Sequence, residues 1–195
     1  ASGGSAAAVE GLVQYLLEKH LQVMPPRQLA VLAWSLARLQ GMAVARASLK
    51  PDGRLAQLLL QRCEELDARR APMVLWALAW SRSPSSELTS RIASQAFRRM
   101  CESSPLGLSN TLWACATLPL ERGESMSKAL LGVSWSSIDE YSSQGVANIS
   151  WALSTCRARD GAGPTLQATA AAVLRRVGEF GPAELAATAW ALAAL

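Results

Sequence analysis

A tryptophan recurs in one register through the whole chain. Trp34, Trp76, Trp113, Trp151 and Trp190 follow one another at intervals of 42, 37, 38 and 39 residues. After each comes a small residue, then Leu or Cys, then a second small residue, as in Ser35-Leu36-Ala37, Ala114-Cys115-Ala116 and Ala191-Leu192-Ala193. With Trp as position zero, position −8 holds Pro26, Ala68, Pro105, Ser143 and Pro182, and position −13 holds Leu21, Cys63, Met100, Ile138 and Val177. Copies at such a spacing call for an array of stacked supersecondary units, each too small to bury its own apolar face.

The unit reads as a helical hairpin. Val9, Leu12, Val13, Leu16, Leu17 and Leu21 fall at three- and four-residue steps and mark an amphipathic helix over Ser5–Val23. Met24-Pro25-Pro26 stops it, and Pro26 suits the first turn of a second helix, Arg27 to Gln40, closed by Gly41. The same alternation predicts helix pairs over 54–66 and 68–81, 85–101 and 106–118, 124–141 and 144–157, and 164–179 and 182–195. A looser link around 48–53 accounts for the longest interval. The expected fold is all-α, an α-solenoid of about five helical-hairpin repeats of 37–42 residues spanning 1–195, with repeats at 5–41, 54–81, 85–118, 124–157 and 164–195.

On the second helix of each pair, at 100° per residue, positions −5, −2, −1, +2 and +5 share one face. In the first copy these are Leu29, Leu32, Ala33, Leu36 and Leu39, the core stripe. Trp lies on the other side with −7, −3 and +4, a column that reads Arg27, Val31, Arg38, then Arg69, Met73, Trp80, then Leu106, Asn110, Thr117. The last two copies give Gln144, Asn148, Thr155 and Ala183, Ala187, Ala194. Two readings follow. Either Trp packs on the neighbouring repeat while small residues at +1 and +3 permit close approach, or the rings face a groove and stack on bases that Arg38, Met73, Asn110 and Asn148 read.

Positions −15 and −14 are Lys19-His20, Gln61-Arg62, Arg98-Arg99, Ser136-Ser137 and Arg175-Arg176. In a stack, Lys19, Arg62, Arg98, Arg99, Arg175 and Arg176 would line up as a basic ladder able to follow a phosphate backbone. The same cations complement the negative ends of their own helices. The formal net charge of +4 permits an anionic partner without requiring one.

Enzymatic constellations are missing. His20 is the sole histidine, and there is no phosphate loop, no nucleophile elbow and no Cys-x-x-Cys pair, so no catalytic residue, metal or cofactor is expected. Cys63, Cys101, Cys115 and Cys156 read as small core residues in a reducing compartment, and Glu64-Glu65 as a solvated face. No apolar run reaches the roughly 18 residues of a membrane span. Ala1-Ser-Gly-Gly-Ser5 reads as the start of a trimmed product. Leu185, Leu192 and Leu195 form an apolar face on the last helix that further repeats or a docked partner are expected to cover.

Leu108-Ser-Asn-Thr-Leu-Trp-Ala-Cys-Ala-Thr-Leu118 and Val146-Ala-Asn-Ile-Ser-Trp-Ala-Leu-Ser154 resemble the repeat signature of the octotricopeptide repeat family, Leu-Ala-Asn-x-x-Trp-Ala-Leu-Ala preceded by Pro. The chain is similar as well to the heptatricopeptide repeats of alveolate organelle proteins. The signature Asn stands at Asn110 and Asn148 and is replaced by Val31, Met73 and Ala187 elsewhere. The resemblance covers nearly the whole chain. It implies an α-solenoid imported into the chloroplast or, as the second choice, the mitochondrion, where it binds single-stranded organellar RNA in transcript maturation, translation or a ribosome. The alternative expectation is an architectural subunit that docks proteins within a larger organellar complex.

Overall fold

The computed structural model describes residues 2–39, 43–81, 86–118, 135–156 and 162–194, and among them all regular structure is helical. The first helices of the hairpins are α1 (Ser2–Lys19), α4 (Arg54–Gln61), α6 (Ser86–Arg98) and α9 (Ala162–Arg175). The Trp helices are α2 (Pro26–Arg38), α5 (Arg70–Ser81), α7 (Pro105–Thr117), α8 (Ser143–Thr155) and α10 (Pro182–Ala194). The expected first-helix segment 124–134, together with Gln40, Gly41, Ser85, Arg157 and Leu195, lies outside the described residues.

The link expected at 48–53 is more ordered than its composition suggests. A short helix, α3 (Ala43–Ser48), precedes a tight turn into α4. A Cβ on Gly53 would collide with the backbone oxygens of Ala47 and Ser48, so only glycine fits there.

The helices preceding the Trp helices end earlier than periodicity predicts, and the reason recurs. Each gives way to a 3-10 turn in the same register: Leu21–Val23, Cys63–Glu65, Met100–Glu102 and Val177–Glu179, with Trp135–Glu140 ending at the equivalent position. The tighter winding swings position −13 inward, burying Leu21, Cys63 and Ile138. An extended residue follows at −10, namely Met24, Leu66, Ser103 and Phe180, and reverses the chain into the next helix. Caps then start the Trp helices. Asp67 accepts from the amides of Arg69 and Arg70, Ser104 from Gly107 and Ser142 from Gly145, while Glu184 reaches back to the Gly181 amide.

The chain divides into two compact units, 1–96 and 97–195. In the first, α2 and α5 lie side by side. In the second, α8 packs against both α7 and α10. The core stripe is where the angular argument puts it: Leu29, Ala33 and Leu36, Val74, Leu75 and Leu78, Leu112 and Cys115, and Val146, Ile149 and Leu153 are all buried. Polar members of the stripe satisfy themselves within their own helix, since the hydroxyls of Thr111, Ser150 and Thr188 donate to the carbonyls of Gly107, Val146 and Glu184.

Small residues set the helix spacing. Position +1 is buried as Ala77, Ala114, Ala152 and Ala191, and position +3 as Ala37, Ala79, Ala116 and Ser154. The contact is explicit at Gly145, where an added Cβ would stand 3.4 Å from Ser109 Oγ on the neighbouring helix. Each Trp helix is thus buried over a wide arc, leaving a strip that contains the Trp.

Candidate nucleic-acid interface

That strip is the Trp column. Trp34, Trp76, Trp113 and Trp151 are half-buried, and Trp190 is 54% exposed. The rings touch their counterparts across adjacent repeats: Trp34 and Trp76 have centroids 6.3 Å apart at 36°, and Trp113 and Trp151 6.4 Å apart at 42°. Packing against the neighbour and facing outward, the two sequence readings, are therefore properties of the same ring. Tilted aromatic pairs at this separation are attractive.

The flanking positions surround the rings. Arg27, Arg69, Leu106, Gln144 and Ala183 at −7 are exposed, as are Arg38, Trp80, Thr117 and Ala194 at +4. At −3, Val31 is exposed while Met73, Asn110, Asn148 and Ala187 are half-buried. The base-reading candidates Arg38, Met73, Asn110 and Asn148 thus lie on the same strip of their respective helices. Arg38 bends over its own Trp, with Cζ 4.9 Å from the Trp34 centroid.

The basic ladder is differently employed. Arg62 makes a fork to Glu65, at 2.8 Å from each nitrogen, and donates a third bond of 2.8 Å to the Met24 carbonyl of the preceding repeat. Arg176 repeats this with Glu179 (2.9 and 2.7 Å) and the Tyr141 carbonyl (2.9 Å). Met24 and Tyr141 both occupy position −10, so the guanidinium clasps one repeat to the extended corner of the previous one. In the third copy the Leu66 carbonyl at that corner accepts instead from the buried Gln95 side chain, at 2.8 Å, while Arg99 faces Glu102 at 3.5 Å. Arg175 is held by Asp139 at 2.8 and 3.0 Å. Arg98 and Lys19 are exposed.

The signal for the clasp was available in sequence as Glu65, Glu102, Glu140 and Glu179 at position −11, three residues after the arginine. The pairing leaves a mark on the acids. Hydrogen bonds from Arg62 and Arg176 hold the Glu65 and Glu179 carboxyls below the ordinary value of 4.5.

Cys63 and Cys115 are buried as expected, but Cys101 is exposed, because the 3-10 turn at Met100–Glu102 points it outward. Burial, followed by the nearby Cys156, pushes the Cys115 thiol up to about 12. An alkylating reagent near neutral pH should therefore label Cys101 in the native chain and reach Cys115 only after denaturation; equal labelling of both would contradict the burial. His20 is exposed with its ring 5.5 Å from Tyr15.

A pocket of about 300 Å³ lies where the first turns of α7 and α8 meet, lined by Ser104, Leu106, Tyr141 and Gly145. Its capping serines are already bonded to backbone amides. Among the described residues no cluster of His, Cys, Asp or Glu could hold a metal ion, and no helix is long and apolar enough to cross a membrane. Compared with known proteins, the chain matches no family model and no curated protein.

Proposed function

We propose that the chain is an organellar α-solenoid of octotricopeptide type that binds single-stranded RNA along the Trp column. The observation that carries this reading is the column itself. Rings are aligned across adjacent repeats, part of each ring remains accessible, and each is flanked at −7, −3 and +4 by side chains that differ from copy to copy. A constant stacking surface with variable polar neighbours is the arrangement by which helical-repeat proteins address one base per repeat. The resemblance of the signature around Asn110 and Asn148 supports a chloroplast or mitochondrial setting, with RNA maturation or translation as the process. No catalytic step belongs to this reading.

The test is selection of bound sequences from a random single-stranded RNA pool. Asn110→Ala with Asn148→Ala should change which sequences are retained while leaving the salt dependence of binding nearly unchanged, as expected for base-reading groups. A parent chain that retains no RNA, or a double variant with unaltered preference, would overturn the assignment. One observation favours the architectural alternative: around the exposed Trp190 the column is all alanine, at Ala183, Ala187 and Ala194, an apolar surface suited to a protein partner. Recovery of the native chain within an RNA-free protein complex would select that alternative.

A further inference from the structure

The column is not chemically uniform. In unit 97–195 it carries no charged residue at −7, −3 or +4. In unit 1–96 it carries Arg27 and Arg38 on α2 and Arg69 on α5, together with Trp34, Trp76 and Trp80. Trp80 adds a second aromatic ring one turn after Trp76, stacked on it at 5.2 Å and 11°, and it is 42% exposed. Arg38, Trp34, Trp76 and Trp80 therefore form one continuous row of flat groups, each resting on the next.

The charge of this surface is available to a ligand. Arg27, Arg38 and Arg69 are exposed, and none has an ion-pair partner among the described residues. The adjacent carboxylate, Asp67, is committed to capping α5 and to pairing with Arg70. This is the reverse of the −14 arginines, whose guanidinium groups are bonded inside the fold. Cations flanking exposed aromatic faces are what a protein needs to hold an unpaired polynucleotide, the cations meeting phosphates while the rings meet bases.

We infer that the surface formed by Arg27, Arg38, Arg69 and Trp80 over the Trp34–Trp76 pair is the principal contact for single-stranded nucleic acid. Resting on the RNA reading above, this inference moves the phosphate contacts from the −15/−14 ladder to the Trp column of the first two repeats. Phosphates lie against Arg27 and Arg69 at the −7 ends of α2 and α5. Bases stack on the exposed part of the Trp80 ring and on the Arg38 guanidinium plane, at the two ends of the row. Duplex RNA is excluded because its base faces are already occupied by neighbouring bases.

The experiment is fluorescence anisotropy of the full chain with a labelled single-stranded oligoribonucleotide of mixed sequence, over a range of potassium chloride concentrations. Arg27→Gln/Arg38→Gln/Arg69→Gln should bind at least tenfold more weakly at low salt and lower the slope of log affinity against log salt by about 2, at about 0.7 per lost phosphate contact. Trp80→Ala should weaken binding about fivefold to over a hundredfold with the slope retained, as loss of one stacked base requires, and Trp80→Phe should recover part of it. Arg38→Lys should keep the slope and still lose affinity, since lysine has charge without a plane. These side chains are exposed, so helix content and melting should not change and check the fold of every variant. A parent that binds RNA while the triple variant binds with unchanged affinity and slope overturns this assignment alone. A parent that binds duplex as tightly as single strands overturns the stacking. A parent that binds no RNA overturns both this inference and the function proposed above, and loss of a protein partner in the same variants would identify the surface as a protein-docking site.

Discussion

Trp113→Ala should destabilise the fold by about 3 kcal/mol and lower the melting temperature by about 6–12 °C. Full burial of an aromatic side chain would place the change at about 3–5 kcal/mol, and the half-buried state of Trp113 puts it at the lower end. The ring lies 6.4 Å from Trp151, and its helix packs closely on α8, so truncation leaves a gap that alanine neighbours cannot fill. The matching change at Trp190, which is 54% exposed, should cost no more than about 1 kcal/mol. Combining Trp113→Ala with Trp151→Ala should reveal a coupling of about 0.5–1.5 kcal/mol, the part that belongs to the ring pair. Thermal melts of these variants decide the matter. If Trp113→Ala and Trp190→Ala melt alike, the column is not part of what joins adjacent repeats.

Much of this arrangement is legible in the sequence because it depends on periodicity. The 3.6-residue pattern places Leu29, Leu36, Leu78 and Leu112 in the core and the −7, −3 and +4 positions outside, and burial agrees with both. Periodicity does not reveal where a helix tightens into a 3-10 turn, since Leu21–Val23 and Cys63–Glu65 continue an apolar pattern that an α-helix would also satisfy. Nor does it say who occupies a guanidinium. The ladder of Arg62, Arg99 and Arg176 is regular because the fold needs a clasp at each corner, a requirement set by unpaired carbonyls at Met24 and Tyr141 that exist only once the chain has turned. The row from Arg38 to Trp80 was equally hidden. Trp80 occupies the +4 position beside residues as different as Thr117 and Ala194, so it stands out only when stacked on Trp76.

Arg62→Gln and Arg176→Gln should each destabilise the chain by about 1–2 kcal/mol, and the double variant by about 2–4 kcal/mol, because the two clasps share no partner. Each loses a charge-assisted bond to a corner carbonyl of the preceding repeat, and glutamine is too short to reach both that carbonyl and the glutamate. Helicity should survive, since glutamine is a good helix former. The pH dependence separates this from simple loss of packing. Glu65 and Glu179 have folded values depressed below 4.5, so as acid is added the unfolded chain takes up protons first. Their contribution is fully present above about pH 4.5 and is lost as pH falls through the depressed folded values. The stability difference between parent and double variant should therefore be constant from neutral pH down to about 5 and narrow below 4.5 as the glutamates become neutral in both. Denaturant melts at pH 7 and at pH 3.5 make the comparison. A difference that is absent at pH 7, or that does not shrink in acid, would mean that the arginines do not clasp adjacent repeats and would return them to the surface as candidates for phosphate.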